Sequence, residues 1–88
     1  MKRSRVELIH DMLAAIRQKG GTIKRTHLLY KANLSHDALK RYLKELMGAG
    51  FVEEIEVKKQ RRYKLTEEGF KFLQEFQRFK EFSETFGL

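Results

Sequence analysis

The sequence contains no cysteine, no proline and no long apolar run, and these absences exclude several classes of protein. Without cysteine there is neither a disulfide framework nor a thiolate for catalysis or metal binding. No run of about 18 apolar residues is present, so no segment is expected to span a membrane. The basic start of the chain is followed by an amphipathic pattern instead of an apolar signal core, so we expect a cytoplasmic protein.

Arrangements of residues that carry catalysis are absent as well. There is no glycine-rich phosphate loop, and His10, His27 and His36 lie in separate predicted elements instead of at metal-ligand spacing. Ser35 has no partnered base nearby in the sequence. We therefore expect no enzymatic activity, no metal ion, no cofactor and no small-molecule ligand.

Positive charge dominates the sequence and is unevenly distributed. The 88 residues include 19 lysines and arginines against 12 acidic residues, a formal net charge of +7. Residues 1–66 hold 16 basic and 7 acidic side chains, whereas residues 67–88 hold 3 basic and 5 acidic ones. This imbalance favours an anionic partner for the first segment, although a lysine-rich surface that only aids solubility has the same composition.

A capping box near the start predicts the first helix. Ser4 and Glu7 have the spacing at which each side chain bonds the other residue's backbone N–H. Gly20 and Gly21 then predict the helix end, since glycine adopts the left-handed conformation at little cost. Apolar residues recur between these limits at helical spacing: Val6, Leu8, Ile9, Met12, Leu13 and Ile16.

Two further helices with a tight turn between them are predicted next. After a short extended link at Thr22 and Ile23, residues 24–31 predict a second, short helix. Residues 32–34 form the turn, and Ser35 caps a third helix that should end at residues 48–50. The inward-facing stripe of this third helix is predicted to be Leu39, Leu43 and Leu46.

The spacing of apolar residues then changes from helical to alternating, which predicts a hairpin. The first strand has its apolar residues at Phe51, Ile55 and Val57. Glu53 interrupts this alternation, so the strand is expected to begin after it. Tyr63 and Leu65 predict the second strand, and the tip at residues 58–61 has no glycine or asparagine to define its turn type.

The order helix, helix, turn, helix, hairpin, helix predicts an α+β, mostly helical fold. It is the order of a winged helix-turn-helix, with three helices and a two-stranded wing, followed by a C-terminal helix. Ala32 is small because the two helices of such a motif cross closely, Leu34 fills the turn, and Gly50 reverses the chain into the wing. We assign residues 1–66 to the head and residues 67–88 to the C-terminal helix.

Three stretches carry a family resemblance: LYKANLS at residues 29–35, LKRYL at 39–43 and YKLTEEGFKFL at 63–73. The sequence resembles the small archaeal winged-helix DNA-binding proteins of the Sulfolobus ten-kilodalton chromatin-protein type, a group that also covers transcription regulators. The resemblance implies a winged-helix head, DNA binding as a dimer, and a C-terminal helix that pairs two chains. In that family this helix is a long leucine and isoleucine coiled coil, whereas here it is short and rich in phenylalanine.

The outward residues of the third helix are the candidates for contacts with DNA bases. A helix in the major groove presents its N-terminal and outward residues to the base edges. With the leucine stripe facing inward, the predicted recognition set is Ser35, His36, Asp37, Lys40, Arg41 and Lys44. A solvated helix face is the alternative interpretation for any one of these lysines.

Cations also cluster in the predicted wing and at the second helix. Five lie close together in the hairpin, where their mutual repulsion favours a polyanionic partner. Charges that protect a strand edge from aggregation are the alternative. The predicted wing contacts are Lys58, Lys59, Arg61, Arg62 and Lys64, and the predicted phosphate contacts at the second helix are Lys24, Arg25 and Lys31.

Phenylalanine is concentrated in the last helix, which Thr66 is predicted to cap and which should run nearly to Leu88. An exposed row of phenylalanines is an aggregation hazard, so we expect a homodimer that buries the row in a twofold interface. Phe70 and Leu73 are expected to cover the head. Burial of the whole row within one chain, or by a protein partner, are the alternatives. The predicted dimer interface is Phe72, Phe76, Phe79, Phe82 and Phe86.

Together these features predict a dimeric transcription regulator that binds double-stranded DNA sequence-specifically and is associated with the nucleoid. Repression is the default role, because a bound dimer blocks a promoter without any activation surface. A non-specific architectural protein of the chromosome is the main alternative. A winged helix that only docks a protein partner is a weaker one, and the dependence of binding on salt separates it from the other two.

Overall fold

The computed structural model describes residues 3–87, which form four helices and three strands. In chain order they are α1 (Arg5–Gln18), β1 (Thr22–Lys24), α2 (Arg25–Ala32), α3 (His36–Gly48), β2 (Val52–Val57), β3 (Gln60–Leu65) and α4 (Glu67–Thr85). This order confirms the α+β winged-helix prediction, with one strand more than expected. Within the described residues no helix is long and apolar enough to cross a membrane.

Three of the helices begin at the hydroxyl caps that the sequence predicts. Ser4 Oγ accepts from the Glu7 backbone N–H at 3.2 Å, and the Glu7 carboxylate accepts from the Ser4 N–H, which completes the capping box. Hydrogen bonding of the Glu7 carboxylate by the side chain and the backbone N–H of Ser4 lowers the pKa of this carboxyl, because it favours the charged form. Ser35 caps α3 and Thr66 caps α4 in the same way.

One apolar core connects all the elements. It contains Leu8, Met12, Leu13, Ala15, Ile16, Ile23, Leu28, Leu29, Ala32, Leu39, Leu43, Leu46, Val52, Tyr63, Leu65 and Leu73. The predicted inward stripe of α3 is therefore confirmed. Val6 is 48% exposed at the first turn of α1, and Leu8 takes the inward position there.

The sheet has the strand order β1-β3-β2 and both of its pairings are antiparallel. The stretch interpreted as a link after α1 is strand β1, which pairs with β3. Strand β2 begins at Val52, so the prediction that it starts after Glu53 is wrong. Val52 is the buried residue of β2, whereas Ile55 and Val57 lie on the opposite, outer face of the sheet.

The tip of the wing is a two-residue turn made of Lys58 and Lys59. Both have positive φ angles, 50° and 65°. Positive φ at both central residues defines a type I′ turn, whose twist suits a two-residue hairpin. Asparagine and glycine are preferred there because other L-residues are strained in this conformation. Lysine occupies both positions instead, so the turn type could not be recognised from the sequence.

Helix α4 packs on the head through its first half, and its second half is largely exposed. The Thr66 hydroxyl donates to the Gly50 carbonyl at 2.6 Å, and Leu73 is buried against the core. The helix ends at Thr85, and the predicted end near Leu88 lies outside the described residues. The head and the projecting helix together measure 48 × 28 × 21 Å.

Candidate nucleic-acid interface

Helices α2 and α3 form a helix-turn-helix. Ala32 at the end of α2 is completely buried, and Leu34 in the turn is packed against the core. Asn33 adopts the left-handed conformation, with φ 54° and ψ 55°, so that the chain turns sharply into α3. The side chain of Ser35 accepts from the Ala38 N–H, and this capping role accounts for its polar group.

The face of α3 that points away from the core is exposed and mostly basic. His36, Asp37, Lys40, Arg41 and Lys44 are all exposed, as predicted. Asp37 lies in the first turn, where a negative charge favours the helix dipole. The Arg41 guanidinium carbon lies 5.4 Å from the centre of the Tyr42 ring, which is half-buried at the edge of the core.

Arg5 on α1 pairs with an acidic residue of α3. Its guanidinium lies 2.9 Å from the carboxylate of Glu45, the acidic residue in the second half of α3. Among the described residues, no ion pair occupies Lys40, Arg41 or Lys44. Sequence reasoning missed the role of Arg5, because the two partners are 40 positions apart and no local pattern connects them.

The register of the wing divides its three strand cations between two faces, and the other two cations form the tip. Arg61 faces the core side of the sheet, where its guanidinium lies 2.7 Å from the Glu54 carboxylate and where Glu56 is directly opposite it. Arg62 and Lys64 face the outer side, and Glu53 is opposite Lys64. These three glutamates therefore offset part of the repulsion among the wing cations within the fold.

The phosphate contacts predicted at α2 occupy different environments. Lys24 and Arg25 are half-buried at the start of the helix, whereas Lys31 is exposed near its end. Tyr30, which the sequence analysis did not single out, is 79% exposed on the same helix. Arg3 at the start of the chain pairs with Asp11 at 3.0 Å and donates to the Ala32 carbonyl, so it holds α1 to the end of α2.

The phenylalanine row of α4 is divided between the head and the projecting half of the helix. Phe72 packs near Phe51, with ring centres 5.3 Å apart, and Phe76 stacks on His10 at 4.3 Å. The other predicted interface residues are exposed: Phe79 by 68%, Phe82 by 57% and Phe86 by 65%. Phe70 is 44% exposed, so the prediction that it covers the head is wrong, although Leu73 does so.

No group of three potential metal-ligating side chains occurs within residues 3–87. The interface described above is built from cations, helix ends and aromatic rings. Such groups recognise anionic and apolar surfaces.

Several solved structures have the same fold. Sso10a-2, a DNA-binding protein from Sulfolobus solfataricus, is 20% identical over 96% of this chain and 85% of its own length, with a TM-score of 0.79. A winged-helix DNA-binding protein from STIV is 20% identical over 91% of this chain and 92% of its own, with a TM-score of 0.75. TubR of Bacillus thuringiensis serovar israelensis, solved with 24 bp of tubC, is 16% identical over 89% of this chain and 98% of its own, with a TM-score of 0.68.

At these identities the likeness establishes the fold, and no curated protein is similar enough in sequence to count as a relative. The winged helix-turn-helix family itself matches residues 2–84, which is nearly the whole chain. Its helix-turn-helix is a DNA-binding motif that places the second helix in the major groove. The chain therefore belongs to the winged helix-turn-helix family.

Proposed function

We propose that this protein binds double-stranded DNA sequence-specifically as a homodimeric, nucleoid-associated transcription regulator, and that it acts as a repressor. The observation that carries the proposal is the outward face of α3, where Lys40, Arg41 and Lys44 are exposed and unpaired within residues 3–87. A helix-turn-helix presents this face to the major groove. Solved proteins of the same fold that are described as DNA-binding support the same function.

The three cations of this face have different tasks in the groove. Arg41 is suited to guanine, because a guanidinium donates two parallel hydrogen bonds to O6 and N7. Lys40 and Lys44 are one helical turn apart and reach acceptors on bases or on the flanking phosphates. His36 and the cap residue Ser35 lie at the N-terminal end of α3, which is the end nearest the bases in a helix-turn-helix complex. The Asp37 carboxylate interacts favourably with the positive end of the α3 dipole.

The tip of the wing supplies contacts outside the major groove. Lys58 and Lys59 are exposed at its end, where they reach the phosphate backbone or the adjacent minor groove. Lys31 on α2 adds an exposed cation to the first helix of the motif. These contacts position the protein on the duplex, whereas the residues of α3 specify the sequence.

The exposed part of the phenylalanine row supports the homodimer. Phe79, Phe82 and Phe86 lie on the half of α4 that extends beyond the head. A second copy presents the same apolar row, so a twofold interface between two α4 helices, parallel or antiparallel, buries both rows. Such a dimer offers two recognition helices to two half-sites, and a dimer bound across a promoter blocks transcription without further parts.

The experiment that tests this function is a gel-shift titration of a promoter fragment with an excess of unrelated duplex competitor, at two salt concentrations. A shift that survives the competitor is expected for a sequence-specific regulator. A shift that any duplex abolishes, with a steep dependence on salt, would instead identify an architectural binder. No shift at low salt would contradict DNA binding and leave a protein-docking winged helix.

A further inference from the structure

Like charges lie side by side where β1 meets β3. Lys24 is directly opposite Arg62 in this antiparallel pair, and both side chains point to the outer face of the sheet. Like charges in directly opposite positions destabilise a sheet. Both residues are half-buried, so solvent and salt screen their repulsion less than they would at an exposed site.

The start of α2 makes this arrangement more unfavourable. Lys24 is the N-cap residue and provides no side-chain acceptor, Arg25 follows it, and the first turn contains no acidic residue. The other three helices each have a hydroxyl cap and at least one acid in the first turn. Cations at a helix N-terminus oppose the helix dipole, so α2 begins with charges of the wrong sign.

A shortage of carboxylates does not explain this arrangement. The hairpin contains three glutamates, yet Glu54 is paired with Arg61 on the other face and Glu53 is opposite Lys64. No ion pair within residues 3–87 includes Lys24, Arg25 or Arg62. Adjacent residues of β3 therefore differ: Arg61 is neutralised within the fold, and Arg62 is left beside another cation.

We infer that Lys24, Arg25 and Arg62 form one binding site for the phosphate backbone of DNA, and that Arg61 serves the fold instead. The inference rests on the proposed DNA binding and identifies which of the wing cations contact the backbone. A phosphate seated between β1, β3 and the start of α2 relieves the repulsion between Lys24 and Arg62. It also places a negative charge at the positive end of the α2 dipole.

The two neighbouring arginines of β3 provide a matched pair of variants. The Arg62→Gln variant removes the charge but keeps most of the side-chain stem, and Arg61→Gln does the same on the opposite face. Binding of each full-length variant to one labelled duplex is measured by fluorescence anisotropy over a range of salt concentrations. Loss of one phosphate contact lowers the steepness of log K against log salt by about 0.9 per protomer, which is about an eightfold weaker affinity at 0.1 M salt.

We expect this change for Arg62→Gln and an unchanged slope for Arg61→Gln. If Arg62→Gln keeps the slope of the natural protein, or if both variants lose the same amount, the assignment of the phosphate site is wrong while DNA binding stands. If the natural protein binds no duplex at low salt, the proposed function fails and the site fails with it.

A second measurement needs no DNA. Because Arg62 repels Lys24, we compare the melting temperatures of Arg62→Gln and the natural protein. The difference, variant minus natural protein, should be most positive at low salt and should decrease as salt screens the repulsion. The salt trend separates the charge effect from any change in packing, which does not depend on salt. A difference that stays constant with salt, or that becomes more favourable as salt increases, would contradict the repulsion on which the site is based.

Discussion

Replacement of Gly69 by alanine should destabilise the protein although alanine is the better helix former. A Cβ atom at this position would lie 2.5 Å from the Phe51 carbonyl oxygen and 2.5 Å from the Leu65 Cδ1 atom. The leucine methyl can rotate, but the carbonyl belongs to the backbone and accepts the Thr66 N–H at 3.1 Å. Overpacking typically costs about 1–3 kcal/mol, and a weakened hydrogen bond adds about 1 kcal/mol.

The higher helix propensity of alanine offsets about 1 kcal/mol of this destabilisation, so the free energy of unfolding should fall by about 1–3 kcal/mol. The melting temperature of a domain of this size then decreases by roughly 4–8 °C for each kcal/mol. Gly48 is the matched control, because a Cβ there meets nothing within 4 Å. Thermal and urea unfolding at one protein concentration should find Gly48→Ala as stable as the natural protein or slightly more stable. A Gly69→Ala variant as stable as Gly48→Ala would refute the close approach of α4 to the chain before β2.

Three further changes test other parts of the account. The double variant Lys58→Asn/Lys59→Gly should raise the free energy of unfolding by roughly 1–2 kcal/mol, because it relieves two left-handed lysines, and should lower the salt slope of DNA binding by about 1.8 per protomer. Phe82→Ser should weaken dimerisation by tenfold or more in sedimentation equilibrium, since a buried phenylalanine contributes about 1.5–3 kcal/mol. Ser4→Ala should lower stability by about 1 kcal/mol at neutral pH in urea unfolding. Because Ser4 lowers the folded-state pKa of Glu7, part of this difference is present above the unfolded-state pKa and is lost as the pH falls through the folded one.

Each of these three predictions has a result that would contradict it. For the turn variant, increased stability with an unchanged salt slope of DNA binding would show that the lysines of the tip do not contact DNA. For the dimer, Phe70→Ser is the control, because this residue is exposed but lies away from the other phenylalanines, and equal dissociation of both variants would argue against a defined interface. For the cap, a stability difference that grows on acidification would show that Glu7 is not stabilised by Ser4.

The parts of the fold that depend on neighbours in sequence were predictable. Hydroxyl caps at Ser4, Ser35 and Thr66, the leucine stripe of α3 and the turn at Asn33 all rest on contacts within about four residues. Local patterns of this kind can be recognised in a sequence, because helix periodicity and capping involve residues in adjacent turns. They were sufficient to predict the winged helix and to place the recognition helix.

The parts that depend on register or on distant partners were not predictable. The burial of Val52 in place of Ile55 follows from the pairing with β3, which fixes which face of β2 meets the core. The same pairing places Arg61 and Arg62 on opposite faces of the sheet. Pairing between β1 and β3 joins residues 38 to 42 positions apart, and a strand of three residues is too short to produce a strand signal.

The most direct test of the central claim is the affinity of the double variant Lys40→Ala/Lys44→Ala for a duplex, compared with that of Lys71→Ala. Lys71 is exposed on α4 and paired with Glu68 at 3.3 Å, so it controls for the loss of an exposed lysine elsewhere. Fluorescence anisotropy at two salt concentrations should show that the α3 variant binds the duplex more weakly and loses up to about 1.8 units of salt slope per protomer, about 0.9 for each lysine that contacts a phosphate, while the Lys71 variant binds as the natural protein does. Equal binding by all three proteins would contradict the claim that α3 is the DNA-reading helix.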